Sequence, residues 1–155
     1  MATRIPYRPN VAWLALVAAV LLGAVVRPAT GQIAVVANKS VPVESLDKHE
    51  LLRLFAGDIE YWDNGEAVVI VDLSAKGEVR DSFYAYLGKT SSRMRSIWLK
   101  RKLTGEGELP RTMDSEEALL DAIASTHGAI GFASLPRVAQ HPDVKVLIDS
   151  IPVQQ

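Results

Sequence analysis

The 155-residue sequence contains no cysteine. That absence excludes disulfide scaffolds, thiolate-bound zinc or iron-sulfur centres, a catalytic thiol and the cysteine of a lipoprotein anchor. Motifs for nucleotide and acyl chemistry are missing too: there is no Walker loop, no dinucleotide fingerprint and no Gly-x-Ser-x-Gly. His49, His127 and His141 lie far apart, without the spacing of a helical metal site. The acidic pairs Glu116-Glu117 and Asp58/Glu60 read as exposed cap and loop residues. Neither an enzyme nor a cofactor is therefore expected. Charge of one sign does not dominate either, since 17 Lys and Arg stand against 18 Asp and Glu. The first 31 residues hold three of those arginines and no acid, leaving 14 basic against 18 acidic residues from Gln32 onward. A general electrostatic grip on nucleic acid is not expected from that balance.

What is present falls into two parts. Arg4 and Arg8 precede an apolar run from Val11 to Val26, which is followed by Arg27, Pro28 and the small residues Ala29 and Gly31. A basic start, an apolar helix stopped by proline and a small-residue exit describe an export signal over residues 1–31, cut near Gly31. The product would be periplasmic, and the membrane would be met only through this leading segment.

The remainder, residues 32–150 with a loose tail at 151–155, has the size and composition of one globular domain. Ile33–Asn38 and Ala67–Asp72 are short, β-branched, nearly continuous apolar runs, as strands covered on both faces require. Ser45 is placed to cap a helix from Leu46 to about Phe55, which Gly57 ends. Trp62–Gly65 reads as a turn. Val79, Phe83, Tyr86 and Leu87 mark a second helix closed by Gly88, and Met94, Ile97, Trp98 and Arg101 a third, from Ser91 or Ser92 to about Leu103. Thr104–Pro110 is a glycine-bearing loop. Asp114 and Glu117 form a capping-box pattern before a helix carrying Leu119, Ala122 and Ile123 and ending near Gly128. Short strands follow at Ile130–Ala133 and Val144–Ile148. The alternation predicts an α/β fold, a small, mostly parallel sheet flanked by helices.

HELLRLFAGDIEYWDNG (His49 to Gly65), RDSFYAYLG (Arg80 to Gly88), IWLKRKLTGEGELP (Ile97 to Pro110) and HGAIGFASLP (His127 to Pro136) occur in an order and spacing that resembles the phosphate-binding proteins of bacterial ABC transporters. Among these the chain resembles short, single-lobe members of the type 2 periplasmic-binding-protein-like superfamily. The resemblance implies an exported α/β domain that binds an oxyanion, phosphate above all, in a cleft between two lobes. The chain departs from it in having one domain and in lacking the Ser-Gly-Thr run that the second lobe of full-length relatives supplies. The corresponding turn here reads Leu73-Ser74-Ala75-Lys76-Gly77-Glu78-Val79-Arg80.

On physical grounds the loop from Asp72 to Asp81, which contains that turn, is nonetheless the expected ligand-binding site. It follows the carboxyl end of a buried strand and opens a helix, where N–H groups and the helix dipole favour an anion. Ser74 offers a hydroxyl, Gly77 allows close approach, and Lys76 and Arg80 bring positive charge, while Glu78 opposes an anion. Arg93, Arg95, Lys100, Arg101 and Lys102 form a second, basic surface that reads as a solvated helix face. Trp62 and Trp98 are expected in or near the core, and His127 at a helix end. Two functions follow. One is a binding module for phosphate or a similar oxyanion in an ABC-type uptake or sensing system; the other is an interaction domain that docks on an envelope transporter, porin or sensor.

Overall fold

The computed structural model describes residues 31–74 and 76–153. The expected export segment thus lies outside the described residues, apart from Gly31. Five strands, β1 (Gln32–Asn38), β2 (Val69–Leu73), β3 (Arg111–Met113), β4 (Ala129–Ser134) and β5 (Val144–Pro152), form one sheet in the order β3-β2-β4-β1-β5. The helices are α1 (Lys48–Ala56), α2 (Glu78–Tyr86), α3 (Ser91–Thr104), α4 (Glu116–Ser125) and the short α5 (Leu135–Val138). The α/β class expected from the alternation is the class observed. Direction is mixed: β2 is parallel to β3 and β4, whereas β1 is antiparallel to β4 and β5. The first strand slots between the last two, so the connection from β4 through α5 to β5 steps over β1. Hydrophobic periodicity carries no sign of strand direction, which is why the alternation alone pointed to a mostly parallel sheet.

Helices cover both faces. Phe132 of β4 stacks on Phe83 of α2 at a centroid distance of 4.0 Å, and Phe55 of α1 meets Phe83 edge-on at 4.8 Å. Its neighbour Gly131 points the opposite way, where an added Cβ would lie 2.8 Å from Ile123 Cδ1 of α4 and from the Val71 carbonyl. Strand alternation explains both contacts. Ile33–Asn38 are all buried, as an apolar central strand must be. Trp62 and Trp98 are buried as expected, each indole N–H finding a backbone carbonyl, Gly128 for the first and Phe55 for the second.

Several boundaries differ from the sequence reading, three of them for a chemical reason. Asp47, not Ser45, caps α1, in a reciprocal capping box with Glu50; only Asp47 has a Glu three residues on that can return the bond. Ser115, not Asp114, caps α4 by accepting the Ala118 N–H, which frees Asp114 for another partner. Of the expected loose tail, Ile151 and Pro152 belong to β5: Ile151 is fully buried against Ile33, and the following Val153 N–H reaches the Gly31 carbonyl. The β1–β5 register shifts upstream of this pairing, so exposed Asp149 and Ser150 interrupt the apolar pattern without ending the strand.

Candidate functional site

The parallel strands β2 and β3 end side by side, Leu73 beside Met113, and the chain leaves each of them toward a helix start. A shallow depression of about 300 Å³ lies there, lined by Lys76, Gly77, Glu78 and Arg80 from the α2 side and by Asp114, Ser115 and Glu116 from the α4 side. The outer ends of parallel strands are where α/β sheets offer helix N-termini to a ligand. The two helices meet it differently. α4 has its own cap in Ser115, whereas Gly77 at the start of α2 provides no side-chain cap.

Of the four residues singled out from the sequence, Lys76, Gly77 and Arg80 line the depression. Lys76 is exposed and forms no ion pair among the described residues. Ser74 is turned aside, its hydroxyl donating to Asp114 Oδ1 at 2.6 Å and its N–H to the Met113 carbonyl. Arg80 is engaged. Its Nε and Nη2 donate to the Asp72 carboxylate, Nη2–Oδ2 being 2.7 Å, and both side chains are almost wholly buried. The guanidinium also lies over the Tyr84 ring, 5.3 Å from its centroid. Burial works against the Arg80 charge, but the hydrogen bonds and charge of Asp72 outweigh it and hold the guanidinium more firmly protonated than usual. Burial, followed by the Asp72 charge, pushes the Tyr84 phenol well above its ordinary range. Its hydroxyl, fully enclosed, has no hydrogen-bond partner of normal geometry among the described residues.

The electrostatic consequence is a correction to the simple charge count. Arg80 reaches the depression with its charge already balanced, so Lys76 is its single cation without a carboxylate partner among the described residues. Three carboxylates, Glu78, Asp114 and Glu116, share the rim. Glu116 is half-buried and accepts the Ser134 N–H, so it is part of this surface and not merely an exposed cap residue. Asp114 and Glu116 were not anticipated as site residues, and Asp72 was anticipated only as the start of the loop. Asp72 alone carried a signal, an acid at the end of a buried apolar strand that could stay charged only with a buried partner. Asp58 and Glu60 face Arg101 at another part of the surface, and exposed His127 stands 3.5 Å from Glu66.

No family model matches the sequence, and no curated protein does. Solved structures do. An ABC-type phosphate transport receptor from Vibrio cholerae aligns at 19% identity over 76% of this chain and 45% of its own, with a TM-score of 0.59. A Clostridium perfringens protein of the phosphate ABC transporter substrate-binding type, solved with bound phosphate, gives 18% identity over 80% and 47%, with a TM-score of 0.61. PstS from Borrelia burgdorferi gives 8% identity over 76% and 47%, with a TM-score of 0.58. The chain spans less than half the length of these structures. At such identities the likeness speaks to architecture, and the architecture agrees with the layering described above: the chain has the fold of one lobe of a periplasmic-binding-protein-like receptor.

Proposed function

We propose that this chain is an exported binding module for phosphate or a similar oxyanion, serving an ABC-type uptake or sensing system in the envelope, and that the ligand sits on the turn from Lys76 to Arg80. The observation that carries this reading is the convergence of two helix starts, one of them without a side-chain cap, on a single depression at the ends of parallel strands. The likeness of the fold to receptors, one of which holds phosphate, supports it. Export over residues 1–31 would leave a chain that opens on β1 at Gln32. Mass measurement of the envelope form checks that boundary, and retention of Met1–Gly31 would refute it.

The site as built provides one wall. An anion resting there stays half in water, which screens its contacts, and it faces three carboxylates with one unpaired lysine. Binding by the isolated chain is therefore weak, and a second lobe or chain closing over the turn strengthens it. Calorimetric titration of phosphate and sulfate tests this. Weak heats are expected that vanish in Lys76→Ala and in Gly77→Asp, the second placing a carboxylate where the anion would meet the α2 start. Heats unchanged in both variants would sink the assignment. One observation favours the second reading, an interaction domain docking on a transporter, porin or sensor: the acidic rim outweighs Lys76. Under that reading both anions give no heat at all.

A further inference from the structure

The helix α3 is a basic ridge on an acidic domain. It carries Arg93, Arg95, Lys100, Arg101 and Lys102 and no acid, while the rest of the chain from Gln32 onward holds nine basic and eighteen acidic residues. Its inner face is settled: Met94 and Trp98 are buried, and Arg101 is tied to Asp58, Glu60 and the Glu106 carbonyl. The outer face is not. Leu99 and Leu103, one turn apart, are 50% and 78% exposed, and Ser92 and Ser96 continue the same stripe toward the helix start. Arg95 and Lys102 flank that stripe on one side, Arg93 and Lys100 on the other. Arg93, Arg95 and Lys100 form no ion pair among the described residues. Besides Asp58 and Glu60 on the inner side, acids meet the helix at its two ends, Asp81 bonded to the Ser91 hydroxyl and Glu108 paired with Lys102.

We propose that this face of α3 rests on an anionic phospholipid surface, with Leu99 and Leu103 entering the headgroup boundary and the flanking cations meeting lipid phosphates. Leucines bordered on both sides by long cationic side chains let the charges stay in the headgroup layer while the apolar stripe dips below them. Complementary charge selects an anionic surface over a neutral one. The shape selects a bilayer over an acidic protein: a lone helix face is a convex ridge without a pocket for an anchoring side chain, and lipid deforms around a ridge whereas a protein partner would need a matching groove. The acids elsewhere on the domain are screened beyond about 10 Å at ordinary ionic strength. This surface is separate from the depression at the α2 start, and it extends membrane contact beyond the leading segment.

The absence of cysteine makes the test clean, because Ser96→Cys gives the full chain a single labelling position on the outer face. An environment-sensitive fluorophore there is expected to shift to the blue with phosphatidylglycerol-containing vesicles and not with pure phosphatidylcholine. Changing Arg93, Arg95 and Lys100 together to Gln should weaken that response about a hundredfold, from roughly fivefold per near-surface cation. The same change at Lys39, Lys48 and Arg137 should leave it intact. If circular dichroism shows that the first triple variant has lost helix, Leu99→Ser with Leu103→Ser replaces it and should also weaken the response. No shift on anionic vesicles, an equal shift on neutral ones, or equal responses from the two triple variants would overturn the proposal. So would a shift given by soluble polyglutamate but not by vesicles, which would assign the face to an acidic protein.

Discussion

Helices α2 and α3 follow one another along the chain, yet they dispose of their arginines in opposite ways. In α2, Arg80 is turned inward onto Asp72 and under the aromatic core, so its charge is cancelled where the local dielectric is low. In α3, Arg93 and Arg95 stand in solvent. In the sequence the three look alike. The difference teaches that a cation's value to a ligand depends on which acid was buried with it: desolvating Arg80 without Asp72 would be prohibitive, and with Asp72 it leaves little field for anything else. The basic residues of α3 keep their charge available, at the cost of screening by water.

The largest effect that would break this comparison concerns the buried pair. Arg80→Ala leaves Asp72 charged and enclosed and is expected to cost about 3–5 kcal/mol, whereas Arg93→Ala should stay within about 0.5 kcal/mol. Urea unfolding of both variants decides it, and equal midpoints would show that the pair is not what holds α2. Replacing Asp72 and Arg80 together by apolar residues of similar volume should recover most of the loss. Arg80→Ala is for this reason a poor probe of ligand binding, and Lys76→Ala the better one.

An intermediate effect sharpens the contrast at the helix starts. Thr90 accepts the Arg93 N–H to cap α3, so Thr90→Ala should cost about 1 kcal/mol. Gly77 caps α2 with no side chain, its backbone is extended at φ 179°, and an added Cβ would meet nothing within 4 Å. Gly77→Ala should therefore leave the unfolding midpoint almost unchanged; a loss as large as that of Thr90→Ala would contradict the difference drawn between the two starts.

The smallest effect at neutral pH is expected at Tyr84. Removing a buried hydroxyl that makes no hydrogen bond of normal geometry among the described residues is close to neutral, so Tyr84→Phe should shift stability by less than about 1 kcal/mol at pH 7. The pH dependence is more telling. The folded phenol titrates well above its ordinary value of 10.0, so the stability that goes with its neutral form is complete below pH 10. Above that the unfolded chain ionises while the folded one does not, and stability falls. Tyr84→Phe should remove this part of the alkaline decline, making the variant the more stable protein above pH 10. Identical alkaline curves for the two proteins would mean that Tyr84 is not enclosed beside Asp72.

Much of the fold was legible because burial on two faces leaves a dense mark. β1 and β4 are such runs, β2 is one over its last three residues, and the spacing of Met94 and Trp98 marked the inner face of α3. Caps were legible only to within a residue or two: Ser45 and Asp47, or Asp114 and Ser115, are chemically alike, and the reciprocal bond available to one of them decides. β3 left no mark at all. It has three residues, Arg111 and Thr112 exposed, and it exists because β2 offers it a parallel partner. The candidate site was half legible: the turn from Ser74 to Arg80 was found as the place where a strand opens into a helix, but its second wall, Asp114 to Glu116, lies some forty positions along the chain and joins it only because β2 and β3 end together.

By itself, then, the sequence determined the type of every element but β3 and the short α5, the α/β class, the apolar faces and the location of one strand-to-helix turn, since each of these is a local property of period, cap or composition. Tertiary structure alone decided strand direction and order, the entry of Ile151 into the core, and which charges remain free. Those depend on contacts between residues distant along the chain: β1 between β4 and β5, Ile33 against Ile151, and Arg80 buried on Asp72 while Arg93 is left in water. Whether a charge is cancelled is set by its neighbours in space and the dielectric around them, and neither is written at the position of the charged residue.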